Sequence, residues 1–517
     1  LSQNYYFKYL VSNQRKKAVL VLDIGTSFVK IGLFDLNANP IEGCNIKFEH
    51  WMTIKTDGTY TFNALESAQI IERGLDELIS KSSGYEIIAF STDTMASTIV
   101  GLDKNNSPVT DVFTYADTRP YRQLSKLKEG VNQKVFYDDT GCPMHTSYIP
   151  SRIIWFKEKY PEIDKKINIW TDFSNYLLRR WMQNKNIDIS YSVASWTGLF
   201  NRKKLTWYVP GLNFIDLKEN KLPNLSPYTK TVEGLNPEYS KRWGQLEKVP
   251  FFLPVGDGAS SNIGVGCNSE NKIALSIGTT GALRVLTNKS KINIPQGLWN
   301  YRLGENYNLL GGAFSEGGNV GLWLKKLMNI HPNADSNSID EINESESNLE
   351  LENMLLRSKP DSHGLTVLPF LAGERAVGWA ENATGTLTGM RLSTTKAEIY
   401  QAFLEAIAYR FGLVSKRLMT LLQEDCLVVA SGGAVKSSKY WLQMLADVLS
   451  MRVGVSSVPE DTGRGTAILA LNAMGISKSF NDYDFEVSEF YDPNEKNMIA
   501  YQNAMNRQEE LYSKIFN

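Results

Sequence analysis

The clearest pattern of hydrophobic and polar positions in this chain is a pair of largely apolar runs separated by a short glycine turn. The pattern occurs twice, in residues 18–34 around Gly25-Thr26-Ser27 and in residues 273–286 around Gly278-Thr279-Thr280. Apolar runs that flank a small polar turn predict a β-hairpin. We therefore expect one hairpin near the start of the chain and a second near its middle.

The turn residues suggest a role in binding phosphate. Glycine lets backbone amides approach an anion closely, and neighbouring hydroxyl groups add hydrogen-bond donors. A single turn of this kind is more often only a tight turn. Gly25 and Gly278 lie about 250 positions apart, roughly the length of one large domain, so the repetition predicts a duplicated two-domain chain with one phosphate loop in each half.

Strand-like and helix-like periodicities alternate elsewhere in the chain. Residues 86–90 and 109–115 are predicted strands, and residues 64–80 have helical spacing. Residues 329–352 are polar and acidic, which is typical of a solvated helix or a loosely ordered connection. The chain therefore reads as an α/β protein.

The two ends of the chain carry simpler patterns. The aromatic start is followed by a basic cluster, so residues 1–17 read as a surface extension and not as a signal peptide. Residues 497–516 predict a terminal helix. Its expected packing residues are Ile499, Met505, Leu511 and Ile515.

Composition narrows the class of protein. A chain of 517 residues with 42% hydrophobic and 21% charged residues can form two or three domains with substantial cores. A net charge of -1 gives no reason to expect nucleic acid or an anionic membrane as partner, and no apolar run approaches the length that crosses a bilayer. The four cysteines form no C-x-x-C pair, so a small-molecule enzyme of the reducing cytoplasm is expected.

One carboxylate is a candidate for chemistry. Asp257 lies between Gly256 and Gly258, just before a helix start built of small residues. An aspartate with little bulk around it can accept the proton of an alcohol that attacks phosphorus. An aspartate at this place can also simply cap the helix, so both interpretations stay open.

These segments, with others in the same order, resemble the FGGY carbohydrate kinases of the actin-like, Hsp70-like and hexokinase-like ATPase superfamily. The matching motifs are Asp23-Ile24-Gly25-Thr26-Ser27, Gly256-Asp257-Gly258, Ile277-Gly278-Thr279-Thr280, residues 368–376, residues 385–390 spaced before Glu398 and Glu405, and Ala430-Ser431-Gly432-Gly433-Ala434. The resemblance implies a two-domain α/β fold of the actin-like ATPase (ribonuclease H-like) type, with a duplicated core and an interdomain cleft. The implied divisions are an extension at 1–17, an N-terminal domain at 18–265, a C-terminal domain at 266–480 and a helical tail at 481–517.

The resemblance also implies ATP and Mg²⁺. Asp23, acting through water, and Asp257 would be the metal residues, because Mg²⁺ prefers oxygen ligands and retains water. The implied nucleotide-binding residues are Asp23, Gly25, Thr26, Ser27 and Lys30 in the first half, and Gly278, Thr279, Thr280, Gly432, Gly433 and Ser437 in the second. Lys30 would offset phosphoryl charge, although a lysine on a strand is more often only a solvated side chain.

The acceptor site is expected in the first half. Tyr115-Ala116-Asp117-Thr118-Arg119 and Thr140-Gly141-Cys142-Pro143-Met144-His145 look most like the gluconate kinase branch. The candidate substrate-binding residues are Asp93, Tyr115, Asp117, Arg119, His145 and Asp257. A sugar acid needs a positive group for its carboxylate, which Arg119 or His145 could supply. Alternatively, Asp117 and Arg119 form a structural ion pair and Tyr115 is a core aromatic residue.

Departures from the family pattern leave the sugar open. Residues 91–98 contain no Met-His pair, and Arg152 replaces the lysine of the N-terminal signature. We expect phosphorylation of a hydroxyl group, with gluconate as the leading substrate and xylulose, ribulose or glycerol as alternatives. A non-catalytic sugar or nucleotide sensor, or an actin-like ATPase, is the alternative from another class. Related kinases are often dimers, but no segment of the sequence identifies an interface.

Overall fold

A computed structural model describes residues 15–328, 341–422 and 425–516, with the backbone alone at 341–348. The chain divides into two compact units. The first comprises Leu1–Gly266, Tyr301–Tyr307 and Pro459–Asp484, and the second comprises Cys267–Asn300, Asn308–Val458 and Phe485–Asn517. Residues 1–14 of the predicted extension, and the 329–340 part of the predicted acidic connection, lie outside the described residues.

The strands of the described residues are β1 (Lys16–Ile24), β2 (Phe28–Phe34), β3 (Pro40–Glu49), β4 (Thr53–Ile54), β5 (Tyr60–Phe62), β6 (Tyr85–Thr94), β7 (Val100–Leu102), β8 (Val112–Phe113), β9 (Ile169–Thr171), β10 (Ile189–Ser190), β11 (Phe200–Asn201), β12 (Thr206–Trp207), β13 (Leu225–Ser226), β14 (Thr231–Val232), β15 (Phe251–Phe252), β16 (Val255–Gly256), β17 (Lys272–Ile277), β18 (Gly281–Thr287), β19 (Trp299–Arg302), β20 (Asn308–Phe314), β21 (Thr366–Leu368), β22 (Thr386–Thr388), β23 (Leu427–Ser431), β24 (Val453–Ser456) and β25 (Val487–Tyr491).

The α-helices of the same residues are α1 (Ala64–Lys81), α2 (Tyr121–Gly130), α3 (Gln133–Thr140), α4 (Ile149–Lys159), α5 (Pro161–Asp164), α6 (Phe173–Trp181), α7 (Tyr191–Ser195), α8 (Val209–Phe214), α9 (Pro237–Arg242), α10 (Asp257–Gly264), α11 (Gly318–Leu327), α12 (Glu341–Arg357), α13 (Lys396–Met419), α14 (Gly433–Lys436), α15 (Lys439–Leu449), α16 (Asp461–Ala473) and α17 (Glu495–Phe516). Short 3₁₀ turns lie at Glu219–Lys221, Gly244–Leu246 and Phe480–Asp482.

The sheet of the first unit has the strand order β14-β15-β6-β1-β2-β3, and β16 also pairs with β6. Strands β1, β2 and β3 are antiparallel neighbours, whereas β6 runs parallel to β1, β15 and β16. Buried apolar residues on β1 and β6 pack against helices α1 and α6, and the rings of Phe90 and Phe251 stack with centroids 4.3 Å apart. This core fixes the strands whose ends carry the site.

The sheet of the second unit repeats this plan. Its strands run in the order β20-β18-β17-β23-β24-β25, with β19 next to β20. Strands β17, β18 and β20 are antiparallel neighbours, and β17, β23 and β24 are parallel. Each sheet thus joins a three-stranded antiparallel meander to parallel strands, as the repeated hairpin led us to expect.

Most of the predicted elements are confirmed. The two glycine turns join β1 to β2 and β17 to β18 as antiparallel hairpins, and helix α1 covers the predicted residues 64–80. The strand predicted at 109–115 is largely wrong, because only Val112–Phe113 pairs as a strand. Backbone hydrogen bonds of this segment go to three partners, Gly101, Ile99 and Tyr60, so no continuous ladder forms.

The terminal helix α17 is confirmed, but two of its expected packing residues are wrong. Met505 is buried and Leu511 packs against a small cluster that includes Phe370, whereas Ile499 and Ile515 are 67% and 46% exposed. The buried face is formed by Tyr501, Ala504, Met505 and Gln508, at spacings of three and four residues. Ile499 and Ile515 lie off this face.

Two helices of the first unit cross at very short distance through glycines. A β-carbon at Gly264 of α10 would lie 1.7 Å from the carbonyl oxygen of Asp461, and one at Gly465 of α16 would lie 1.8 Å from that of Ser260. Only glycine permits such backbone contact. Helix α16 of this crossing lies in the segment 459–484, which belongs to the first unit. The sequence analysis placed 459–480 with the C-terminal domain and 481–484 with the helical tail.

Candidate active site

Three carboxylates lie where neighbouring parallel strands of the first unit end. Asp93 near the end of β6 is in register with Asp23 of β1 on one side and with Val255 of β16 on the other. Asp257 follows β16 directly and is the first residue of α10. Because the carboxyl ends of parallel strands meet at one edge of a sheet, the structure brings Asp23, Asp93 and Asp257 to the same edge.

The first glycine turn is held by a histidine. The Gly25 N–H donates to the carbonyl of Phe28 at 3.0 Å, and His50 Nδ1 donates to the carbonyl of Gly25 at 2.9 Å. Burial lowers the pKa of His50, so the ring is neutral and acts as a fixed donor. Gly25 and Thr26 are half-buried and Ser27 is exposed, so the tip of the turn is accessible.

Lys30 stands opposite Asp23 in the hairpin. Its ammonium lies 3.8 Å from Asp23 Oδ2 and 2.8 Å from Glu460 Oε2. Burial works against the charged lysine, but the carboxylates of Asp23 and Glu460 outweigh it and raise the pKa of Lys30. Burial likewise raises the pKa of Asp23, although Lys30 opposes this shift. Lys30 is therefore a paired cation next to the turn.

Asp93, which we expected to bind substrate, is fully buried. Thr466 Oγ1 of α16 lies 2.7 Å from its Oδ2, whereas its Oδ1 has no donor from a protein group. Burial and the nearby charge of Asp23 raise the pKa of Asp93 well above its usual value. Asp93 is thus held beside Asp23 in the sheet and is shielded from solvent.

Asp257 has a tightly defined backbone position. The Gly256 N–H donates to Ser192 Oγ at 3.0 Å, and a β-carbon at Gly256 would lie 2.5 Å from the indole of Trp196. The Trp196 ring also packs edge-on against Tyr301, whose hydroxyl is 2.8 Å from that of Tyr148. The sequence analysis missed Trp196, because its contact with Gly256 joins residues about 60 positions apart and leaves no local signal.

Asp117 and Arg119 form the ion pair that was left open as an alternative. Arg119 Nε lies 3.0 and 3.1 Å from the two Asp117 oxygens, and the guanidinium is 4.4 Å from the centre of the Trp155 ring. Arg119 lines a cavity of about 880 Å³ to which neither Asp23 nor Asp257 contributes. Tyr115, in the same loop, is half-buried.

His145 lies at the start of the segment that leads into α4. Its Nδ1 accepts the Ser147 N–H at 3.1 Å and lies 2.9 Å from Ser147 Oγ. Because Nδ1 is an acceptor, the proton of the neutral ring is on Nε2. Ser147 therefore fixes the orientation of the His145 ring through Nδ1.

In the second unit, helix α11 supports the second glycine turn. The N–H groups of Gly318 and Asn319 donate to the carbonyls of Gly278 and Thr279, at 2.8 and 3.2 Å, and the Gly278 N–H donates to Thr280 at 3.0 Å. Nothing lies within 4 Å of a β-carbon placed on Gly278. The turn is thus held by α11 and has open space beside Gly278.

A cavity of about 670 Å³ adjoins this turn, entirely within the second unit. It joins four predicted nucleotide-binding residues, Gly278, Thr279, Gly433 and Ser437. A β-carbon on Gly433 would meet nothing, so that glycine leaves open space. Gly432 has φ +96° and would meet the carbonyl of Ile277 at 2.4 Å, so it is required by the turn itself.

The same cavity is lined by residues that the sequence analysis missed. They are mainly apolar or aromatic and come from helices α11, α12, α13 and α15: Leu322, Lys325, Leu355, Tyr400, Leu404 and Trp441. Such a lining suits a flat heterocyclic base. Helical periodicity alone makes these positions look like ordinary core residues, so no local signal distinguishes them.

A separate cluster of side chains of the kinds that can bind metals has a structural role. Among the described residues, Asp361, His363 and Glu405 are the one such group whose ligand atoms lie within 4.8 Å of one another. Glu405 accepts hydrogen bonds from Asp361 N–H, His363 Nε2, Gln401 Nε2 and Tyr409 OH. Its oxygens are therefore fully used in holding the loop before β21 on α13.

The comparisons with known proteins agree with this architecture. The models of the FGGY family of carbohydrate kinases match residues 18–264 with the N-terminal domain and residues 273–474 with the C-terminal domain. A gluconokinase of Bacillus licheniformis is 28% identical, over 90% of this chain and 89% of that protein. A xylulose kinase of Staphylococcus epidermidis is 24% identical, over 96% and 97%.

A solved structure shows the same fold. The crystal structure of gluconate kinase from Lactobacillus acidophilus superposes with a TM-score of 0.86 at 23% identity, covering 97% of this chain and 98% of that one. The family models define the class of protein, an ATP-dependent phosphotransferase with an alcohol as acceptor. The chain belongs to the FGGY family of carbohydrate kinases. No helix of the described residues is long and apolar enough to span a membrane.

Proposed function

We propose that this chain is a gluconate kinase that transfers the terminal phosphoryl group of MgATP to a hydroxyl of gluconate. The observation that carries the proposal is the position of Asp257, at the end of β16 and next to the buried Asp23–Asp93 pair. The gluconokinase relative supports gluconate as the acceptor. Xylulose and glycerol are the alternatives, because relatives with those names cover similar shares of the chain.

Asp257 is the proposed general base. Its side chain is half-buried at the start of α10. As the hydroxyl oxygen attacks the phosphorus, its proton passes to the Asp257 carboxylate, and the bond from phosphorus to the leaving oxygen of ADP breaks. Most of the rate in such a reaction comes from positioning and charge stabilisation.

The residues of the first hairpin fit Mg²⁺. Asp23 and Asp257 offer hard oxygen ligands, and burial together with repulsion between carboxylates keeps the pKa of Asp23 and Asp93 raised, which a divalent cation would relieve. Bound Mg²⁺ would neutralise phosphate charge. Asp23, Gly25, Thr26, Ser27 and Lys30 are proposed to orient the phosphates, with Lys30 the cation next to the transferred group.

The second unit is proposed to hold the nucleotide. Gly278, Thr279 and Thr280 would line the phosphate site: Gly278, whose own N–H donates to Thr280, leaves space for the anion, and Thr279 and Thr280 would contact its oxygens. The base would enter the 670 Å³ cavity next to Gly433 and Ser437. Gly432 keeps this backbone in place through its positive φ.

For the acceptor, Tyr115, Asp117, Arg119 and His145 remain proposed contacts, with a changed assignment for Arg119. Because its guanidinium is committed to Asp117, we do not assign the substrate carboxylate to it. Asp93, which lies beside Asp23 in the sheet, is assigned to hold Asp23 in position and not to bind the substrate.

Action in the cytoplasm and assembly as a homodimer stay predictions.

The decisive test is Asp257→Asn. The capping interpretation of Asp257 is wrong, because the N-cap of α10 is Gly256 and no side chain caps this helix. Asparagine keeps the size and polarity of aspartate at the first position of α10 but cannot take up a proton, so this variant removes the proposed base alone. We expect kcat for gluconate phosphorylation to fall at least about 10³-fold, while ATP binding stays within about twofold. A coupled ADP assay and calorimetric titration with ATP measure the two quantities.

A matched control is Asp172→Asn. Asp172 is the N-cap residue directly before α6 in the first unit, where it accepts the N–H groups of Ser174 and Asn175, and it is not in the proposed site. This variant should keep kcat within about twofold. An active Asp257→Asn enzyme would contradict the proposed base. A wild-type protein that hydrolyses ATP without phosphorylating gluconate, xylulose, ribulose or glycerol would favour the sensor or actin-like alternative.

A further inference from the structure

Glu460 is a direct partner of Lys30, although the two residues are about 430 positions apart in the chain. Its Oε2 lies 2.8 Å from Lys30 Nζ, which is a hydrogen-bond distance. Asp23 Oδ2 lies 3.8 Å from the same nitrogen, which is too far for a hydrogen bond. Lys30 is therefore bound to Glu460 and only close to Asp23.

The backbone of Glu460 has a conformation that few residues with a side chain adopt. Glu460 is the N-cap residue of α16, with φ +51° and ψ +49°, whereas an N-cap residue is usually extended. It also makes no side-chain capping bond to the helix. Its carboxylate is bonded to Lys30 instead, so a strained position is kept by a side chain that acts away from its own helix.

The start of α16 is packed closely enough to give this contact a fixed geometry. A β-carbon on Gly463 would lie 2.9 Å from the ring of Phe34 in β2, the strand that carries Lys30. The glycine crossing with α10 also holds this helix, at Gly264 and Gly465. The helix start cannot shift much relative to the hairpin, so Glu460 keeps the ammonium of Lys30 at a defined place.

Asp23 is where the ammonium would move if Glu460 did not hold it. Among the described residues, Asp23 is the other carboxylate within 4 Å of Lys30 Nζ. On its opposite side, Lys30 pairs in register with Lys47 of β3, and like charges directly across a sheet repel each other. A lysine side chain is flexible, so we expect it to close the remaining gap and bond directly to Asp23.

A direct bond from Lys30 would interfere with the proposed role of Asp23. Mg²⁺ retains its waters and requires nearly ideal geometry, so a carboxylate that holds it through water needs its oxygens available. An ammonium bonded to those oxygens occupies them and places a like charge next to the cation. The same movement would withdraw Lys30 from the phosphates.

We propose that Glu460 is a positioning residue that holds Lys30 away from Asp23, which leaves Asp23 free for Mg²⁺ and Lys30 free for the phosphates. The inference rests on the proposed roles of Asp23 and Lys30 in binding MgATP and adds the residue that keeps them apart. The side chains of Lys30 and Glu460 are 32% and 38% exposed, and an ion pair so exposed adds little stability. Its effect is on position.

The test measures how strongly the protein prefers MgATP to metal-free ATP, by calorimetric titration in Mg²⁺ and in EDTA. It needs neither sugar nor turnover. We expect the wild-type protein to prefer MgATP, and Glu460→Gln, which keeps the size but not the charge, to reduce this preference at least about fivefold. In a Lys30→Met protein, Glu460→Gln should have no further effect, because no ammonium is left to misplace.

Two further variants separate the position of Lys30 from local charge and from backbone strain. Asp461→Asn removes the neighbouring carboxylate, which acts on Lys30 and Asp23 through its charge alone, and should keep the preference within about twofold. Glu460→Gly suits the positive φ, so the backbone is retained while the carboxylate is lost. It should reduce the preference as much as Glu460→Gln does.

Three outcomes would overturn the proposal. They are an unchanged preference in Glu460→Gln, an equal loss in Asp461→Asn, which would assign the effect to local charge, and a normal preference in Glu460→Gly, which would assign it to the backbone. A wild-type protein that binds ATP equally with and without Mg²⁺ would contradict the proposed magnesium residues as well. Gluconate takes no part in these titrations, so the proposed acceptor is tested separately.

Discussion

Gly256 shows how a residue without a side chain can control the position of a reacting group. The indole of Trp196 occupies the space where a β-carbon of Gly256 would lie, and Asp257 follows directly. A shift of one ångström in a reacting group can change a rate about 100-fold. The pair Gly256 and Trp196 is therefore expected to set the reach of the proposed base.

We predict that Gly256→Ala lowers kcat by about 10- to 100-fold while the KM for ATP stays within about threefold. The reason is steric, since the new methyl group must displace either Trp196 or the start of α10. Removing the outer indole ring in Gly256→Ala/Trp196→Phe should recover a large part of kcat. Steady-state kinetics of the two single variants and the double variant measure this coupling.

Gly244→Ala is the matched control, because a β-carbon at Gly244 would meet nothing within 4 Å. It should leave kcat unchanged. Additive effects of Gly256→Ala and Trp196→Phe, without recovery, would argue against a direct contact between them.

Among the elements, helices α10 and α16 depend most strongly on each other. Their backbones meet at Gly264 and Gly465, and Thr466 of α16 lies 2.7 Å from buried Asp93. Arg464 Nη2 donates to the carbonyl of Asp484 at 2.6 Å, which ties the end of this segment to the helix. The crossing therefore fixes two parts of the proposed site: Asp257, at the start of α10, and Thr466 of α16, which contacts Asp93.

We predict that Gly264→Ala lowers the free energy of unfolding by about 3 kcal/mol, because a backbone oxygen cannot move aside as a flexible side chain can. Urea denaturation followed by circular dichroism measures the change. Gly84→Ala, at a position where a β-carbon meets nothing, should leave the midpoint within experimental error. A Gly264→Ala protein as stable as the wild type would show that the helices can separate at little cost.

For the molecule as a whole, buried carboxyl groups link stability to pH. Burial raises the pKa of Glu316 from 4.5 to about 8 and that of Asp172 from 3.8 to about 6. The folded chain then binds protons that the unfolded chain has already released at these pH values. Stability from these groups is consequently greatest at low pH and decreases as pH rises towards the folded pKa.

We predict that the free energy of unfolding falls by about 2 kcal/mol between pH 6 and pH 8 through Glu316 alone. Glu316 is 3% exposed, and the charged groups that act on it are Arg410, Glu374 and Arg375. Glu316→Gln, which cannot ionise, should remove most of this slope. Urea titrations at several pH values test this, and parallel curves for the two proteins would contradict it.

The sequence by itself determined the two hairpins, the repeated α/β plan and the family, because glycine turns and apolar runs act through neighbouring residues. It also identified Asp257 as a candidate, because the small residues that mark this aspartate are its neighbours in the sequence. It did not predict the fragmented pairing at 109–115 or the exposed Ile499 and Ile515, since these depend on which distant surfaces meet.

Only the tertiary structure decided which charges are paired. Arg119 forms an ion pair with Asp117, and Trp196 lies against Gly256 across about 60 positions of chain. It likewise decided that residues 459–484 join the first unit. Burial and contact between residues far apart in sequence set charge balance and steric fit, and these quantities exist only once the chain has folded.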